Sequence, residues 1–223
     1  MTHEPRDHRL AGSEAGGLIV EVLIAAVIVF ALVAVTFAVI DTGISAHATG
    51  SALSDLERDA NRVLDRVASE LVMSGSSVIS PIPSTPTTAV DAVTYQMNTG
   101  FTGGLATWGV VRRLELRADP TDPDDGKDNN GNGIVDEKIL VLITDPGGPD
   151  EEVVTITRWV RELLEGERAN GVDDNGNGLI DEPGFCCTLD AGGVWTIRLT
   201  LERPTKRGQI VSRTVETSVT PRN

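Results

Sequence analysis

The run Leu18–Ile40 constrains this chain more than any other feature. All of its 23 residues except Glu21 and Thr36 are apolar, and neither Pro nor Gly interrupts it. As a helix rising 1.5 Å per residue it is roughly 34 Å long, enough to cross a bilayer core of about 30 Å. An ordinary secretory signal has a shorter apolar region, with its small residues after it. Here the run is longer, and the small pair Gly16-Gly17 precedes it. Glu21 is the anomaly. A carboxylate in such a run costs about 2.5–3.5 kcal/mol on insertion scales, which makes it a functional candidate by default. A plain signal anchor would account for the apolar run, but would need neither Glu21 at that offset nor a glycine pair at the boundary.

The string Gly16-Gly-Leu-Ile-Val-Glu21-Val-Leu-Ile-Ala25 resembles the prepilin signal of type IV pilins and type II secretion pseudopilins. There a short polar leader ends in Gly, and an apolar helix follows with Glu at its fifth position. The resemblance implies a leader over residues 1–16, cleavage between Gly16 and Gly17, and Glu21 as the assembly residue. Gly17 departs from the family, which usually has Phe there. Residues 17–40 would be the transmembrane half of a long N-terminal helix, 41–75 its amphipathic half, and 76–223 a β-rich head. The implied partners are a prepilin peptidase, other pseudopilins or minor pilins, an inner-membrane assembly platform and membrane lipid. Leu53–Gly75 and the terminal Thr217–Asn223 look like J-type minor pseudopilins and the related PilW-like minor pilins.

Charge and rare residues exclude other classes. The formal net charge is −14, and −13 once the net −1 of residues 1–16 is removed. Nucleic-acid phosphates would be repelled by such a surface, so no nucleic-acid partner is expected. Before the span the basic residues are Arg6 and Arg9; after it none occurs until Arg58. The positive-inside bias then places the N-terminus in the cytoplasm and the bulk of the chain outside. Beyond residue 16 the only histidine is His47, so neither a multi-His zinc site nor a ready His-based triad is available. No nucleophile–base pair stands out, and no enzyme activity is expected. Cys186 and Cys187 are adjacent, and ordinary disulfide geometry wants Cα atoms about 4.4–6.8 Å apart. They could be free, vicinally bridged or paired between chains.

Asp41–Ser51 reads as a small polar joint, with Gly43 and Gly50 weakening a helix without ending it. Leu53, Leu56, Ala60, Val63, Leu64, Val67 and Leu71 then recur at helical spacing, with charges on the other face. Ser54 and Glu57 have the form of a capping box, and Ser74-Gly75 that of a helix end. Ile79–Thr88 reads as a proline-rich loop. Strands are expected over Ala89–Met97, Leu105–Arg117, Lys138–Thr144, Glu152–Val160, Val194–Glu202 and Gln209–Val219, the last two forming a hairpin. The predicted class is α+β: a long N-terminal helix packed on an antiparallel sheet. The pilin resemblance implies the same layout.

The head contains an internal repeat. Residues 125–137, Asp-Gly-Lys-Asp-Asn-Asn-Gly-Asn-Gly-Ile-Val-Asp-Glu, recur 45 positions on as residues 170–182, Asn-Gly-Val-Asp-Asp-Asn-Gly-Asn-Gly-Leu-Ile-Asp-Glu. Side-chain oxygens alternate at Asp128, Asn130 and Asn132, and at Asp173, Asn175 and Asn177. Gly133 and Gly178 occupy the sixth place. This resembles the first half of an EF-hand loop, where such oxygens converge on one ion and Gly permits the turn. Ile134 and Leu179 would lend backbone carbonyls, while Val135 and Ile180 would tuck inward. The twelfth place holds Ile139 or Gly184, so the bidentate Glu of the EF-hand is missing. Acid comes earlier, at Asp136 and Glu137 and at Asp181 and Glu182, and Asp125 and Asn170 offer one more oxygen each. All-oxygen ligation suits Ca²⁺, giving two candidate sites. Plain Asx-Gly turns without an ion are the alternative.

Assembled, these features predict a minor pseudopilin or minor pilin in the bacterial inner membrane. It would pass the membrane once and expose a calcium-stabilised head to the periplasm. A membrane-anchored calcium-binding receptor or adhesin that never polymerises is the alternative.

Overall fold

The structure, a computed structural model, describes residues 11–83 and 88–222, with side chains from residue 17 onward. Residues 1–10 of the expected leader, residues 84–87 of the proline-rich loop and Asn223 lie outside the described residues. The chain divides into two compact units, residues 1–47 and 48–223.

Helix α1 runs unbroken over Ala11–Val72. It is long and apolar enough to cross a membrane, and its most apolar stretch buries nothing within the protein. One expectation changes here and one holds. Ser54 lies within this helix, so Ser54 and Glu57 do not cap a helix start. Gly43 and Gly50 also leave the helix intact, because a glycine inside a helix costs only about 1 kcal/mol. The helix ends at Val72, and a short 3₁₀ turn follows at Ser76–Val78.

The second unit is an antiparallel sheet of seven strands: β1 (Ala92–Thr102), β2 (Leu105–Ala118), β3 (Lys138–Thr144), β4 (Glu152–Val160), β5 (Phe185–Leu189), β6 (Trp195–Pro204) and β7 (Ile210–Val219). Their order is β1-β2-β3-β4-β6-β5, with β7 on the other side of β6. Gly103-Gly104 joins β1 to β2 with φ of 61° and 83°. Both values are positive, which suits a two-residue hairpin turn. A bridge between Val90 and Cys187 ties the approach to β1 back to β5, so the far edges of the sheet nearly meet. Strand β5 was not expected from sequence. It has five residues, four of them buried, and so carries no period-two alternation to betray it.

The expected helical stripe forms the core. Leu56, Ala60, Val63, Leu64, Val67 and Leu71 are buried in one cluster with Val93, Tyr95, Leu114, Leu140, Ile197 and Leu199 from the sheet. Each fully buried Leu or Val contributes about 1.5–3 kcal/mol. A polar clasp sits within this contact. Glu70 of α1 accepts hydrogen bonds from Tyr95 Oη at 2.9 Å and from Arg112 Nη1 at 2.7 Å. Burial, then the Glu70 charge, pushes the Tyr95 hydroxyl well above its ordinary range.

The sheet also positions the two repeat loops. One connects β2 to β3 and the other connects β4 to β5. Lys138, which ends the first loop, pairs with Val160, which precedes the second. Both loops therefore leave the sheet at the same end. Beside that pair Trp159 is left-handed, with φ 61°, where the β3–β4 register shifts. The Arg203 guanidinium lies 4.6 Å from its ring centroid.

Candidate metal centres

Each repeat loop is shaped by side-chain oxygens turning back onto its own amides. In the first, the Asp128 carboxylate accepts from Gly131 N at 2.6 Å, Asn132 N at 3.2 Å and Gly133 N at 2.8 Å. Asn130 Oδ1 accepts from Asn132 N at 3.0 Å, and Asn132 Oδ1 from Ile134 N at 2.8 Å. The second loop repeats the pattern. Asp173 accepts from Gly176, Asn177 and Gly178, Asn175 from Asn177, and Asn177 from Leu179. Gly133 and Gly178 have φ of 90° and 89°, a conformation L side chains rarely adopt. Asp128 Oδ1 and Asp173 Oδ1 each accept two N–H groups, whereas their Oδ2 atoms and the Asn oxygens accept one each and keep a second lone pair.

The other candidates serve the entrance of each loop. Asp136 and Asp181 are left-handed, with φ of 55° and 51°. Asp136 accepts from Asp125 N and Gly126 N, and Asp181 from Asn170 N and Gly171 N. Asp125 Oδ1 accepts from Lys127 N, and Asn170 Oδ1 from Val172 N. These four residues fasten loop entry to loop exit. One expectation is reversed. Ile134 and Leu179, at the seventh place, are buried, while Val135 and Ile180, at the eighth, are half or more exposed.

Beneath the turns lies a feature that sequence reading missed. Asp122 and Glu137 are fully buried at the first loop, as are Glu167 and Glu182 at the second. Asp122 and Glu167 stand 45 residues apart, so they extend the repeat three places upstream of its recognised start. Comparing acid type instead of residue identity would have found them. Asp122 Oδ1 accepts from Asn129 N at 2.6 Å, and Glu167 Oε1 from Asn175 N at 2.9 Å. Asn130 Nδ2 donates to Glu137 Oε1 at 2.7 Å, and Asn132 Nδ2 donates to the same oxygen. With both acids of a pair ionised, the remaining oxygens have no donor: Asp122 Oδ2, Glu137 Oε2, Glu167 Oε2 and both oxygens of Glu182.

Such pairing is costly for anions. Burial, then the neighbouring Asp122, raises the Glu137 carboxyl above the ordinary range. Asp122 is lowered, first by the hydrogen bond from Glu137 and then by the Asn129 N–H. Glu182 is raised by burial, which outweighs its own N–H and the nearby Asn177 amide, and the charges of Glu167 and Asp173 add a little. Without a cation, a proton shared within the first pair is the available relief. Nearby Asp119 escapes this fate. Burial works to raise it, but hydrogen bonds from Thr121 and the Arg158 guanidinium, 2.8 Å away, outweigh that and hold it low. Among the described residues no three His, Cys, Asp or Glu side chains converge. The acids come as pairs, and any oxygen shell would mix them with amide and main-chain oxygens. That donor set fits Ca²⁺.

Cys186 and Cys187 are both free thiols and fully buried in β5, which closes the choice left open by sequence. Burial pushes Cys186 up to about 12 and Cys187 higher still. Compared with known proteins, the chain matches no family profile, no curated protein and no solved structure.

Proposed function

We propose that the chain is a minor pseudopilin or minor pilin subunit with a calcium-stabilised head. In this reading a prepilin peptidase cuts between Gly16 and Gly17. Residues 17–40 anchor the subunit in the bacterial inner membrane, with the N-terminus cytoplasmic and the head periplasmic. Glu21 guides its packing among other pilin subunits on an assembly platform. The observation that carries the reading is the placement of Glu21. It is the sole carboxylate of Leu18–Ile40, four residues behind the glycine at the expected cut, on a helix that continues unbroken to Val72. A pilin-like layout, a long helix whose second part packs on an antiparallel sheet, accords with this. In a lone subunit the Glu21 carboxylate lacks a partner within the apolar run, which is costly. A freed α-amine on a neighbouring subunit would supply the partner, and only in the right register. The calcium part of the reading is supported by the two buried acid pairs, since isolated buried anions call for a cation.

N-terminal mass spectrometry of the membrane-extracted protein tests this. A mature chain beginning at Gly17, and an uncut precursor from Gly16→Ala, are expected. Glu21→Val should be cut and inserted normally yet fail to co-purify with partner pilins. A different mature N-terminus, or no filament partner at all, would favour an anchored calcium-binding receptor or adhesin.

A further inference from the structure

We infer that each loop holds its Ca²⁺ ion on the buried side, against a carboxylate pair whose first member is Asp122 or Glu167. The inference rests on the calcium reading above and goes beyond the repeat itself, since neither residue belongs to the thirteen repeated positions. Both pairs are fully buried and carry oxygens that no donor reaches. Glu137 lies directly under the Asx turns, because Asn130 and Asn132 both donate to its Oε1. A cation entering there would displace the Asn130 and Asn132 amide donors from Glu137 and be held by Asp122 and Glu137, with the turned amides able to present their oxygens to it. Glu137 then closes the site two places earlier than the twelfth-position Glu of an EF-hand, with Asp122 supplying the missing second carboxylate.

The same geometry explains why the acids are split across the loop. Asp122 follows β2 and Glu137 immediately precedes β3; Glu167 follows β4 and Glu182 comes three residues before β5. One ion bound to both members would fasten the end of one strand to the start of the next. Lys138 and Val160 pair across β3 and β4, so the two fasteners sit at one end of the sheet.

The test uses the full-length protein in detergent, with calorimetric titration of Ca²⁺ and melting curves in chelator. Wild type should bind two ions. Asp122→Asn and Glu167→Gln each keep an oxygen for the Asn129 or Asn175 amide, and each should weaken one site by roughly 100-fold, in line with the dependence of affinity on ligand charge. Asp150→Asn removes a charge from an exposed turn and should change neither site. In chelator the two site variants should melt at or above the wild-type temperature, because a buried like-charge pair is gone. In saturating Ca²⁺ they should melt below it. This reversal of sign separates a ligand from a structural hydrogen-bond acceptor. If wild type binds no calcium, the calcium reading itself fails. If wild type binds two ions and Asp122→Asn binds both unchanged, the assignment of Asp122 is wrong while calcium stands.

Discussion

Between Leu18 and Ile40 the large apolar side chains of α1 are 45–74% exposed, whereas Leu56, Ala60, Val63, Leu64, Val67 and Leu71 fall to 8% or below. The two stretches share one backbone helix, but the first is apolar at all but two positions and the second at fewer than half. The second stretch gathers its apolar residues into one stripe and places charges opposite, so the sheet can cover it. The first is apolar on all sides, and only apolar surroundings, a bilayer interior or other protein, can satisfy all of its faces at once. The head is therefore expected to owe its stability to its own contacts, and substitutions should read differently in the two places.

The largest contrast comes from truncation. Leu64→Ala, at a fully buried site, should cost about 2–5 kcal/mol and lower the melting temperature of the detergent-solubilised protein by roughly 5–15 °C. Leu32→Ala, in the exposed run, should leave that transition where it was. Equal effects would erase the distinction. In the proposed reading, calcium is the exception to a head held only by its own contacts. At a hundredfold excess over the dissociation constant each ion should add about 2.7 kcal/mol, read as a melting shift that chelator reverses. Asp128→Ala with Asp173→Ala should abolish the response. Acidic residues sharpen the contrast further. Glu70→Ala leaves Tyr95 and Arg112 without their acceptor and should cost about 1.5–3 kcal/mol, while Glu21→Val should not move the melting of the head.

The smallest effect is alkaline. The unfolded Cys186 thiol ionises near its ordinary 9.0, and the folded one near 12. Above pH 9 the unfolded state therefore binds fewer protons than the folded state, and stability falls as pH rises; below pH 9 the thiol contributes no slope. At pH 10 the loss is about 1–2 kcal/mol for this thiol. Cys186→Ala should flatten the alkaline limb of a melting-temperature profile, and native protein at pH 8 should resist alkylation until it is denatured.

The helix and most strands were legible because their periodicities are local. The stripe from Leu53 to Leu71 and the alternation in Leu105–Arg117 are written in one dimension, and Lys138–Thr144 and Glu152–Val160 appear with the expected limits. The first strand was cut short at Met97 because Asn98 and Gly100 mark register shifts that pairing with β2 tolerates. Phe185–Leu189 was invisible because a strand buried on both faces has no rhythm. At the loops, identical residues drew the eye to Asp128, Asn130 and Asn132. The acids beneath them escaped notice because Asp122 and Glu167 differ in length and stand outside the repeated string. The Glu70–Tyr95–Arg112 clasp spans three elements, and no short window of sequence holds all three.

The locality of the two acid pairs also bears on the order of events as the chain folds. Asp122 and Glu137 are about 15 residues apart, as are Glu167 and Glu182, whereas the Val90–Cys187 bridge joins residues nearly a hundred apart. Loops of ten or so residues close in tens of nanoseconds, while long-range strand pairing must first overcome a larger closure entropy. If the head binds calcium as proposed, ion capture on a newly made chain can precede assembly of the sheet, bringing β2 toward β3 before β1 and β5 meet. Calcium would then quicken refolding as well as slow unfolding, making the ion content of the compartment a control on when the subunit matures.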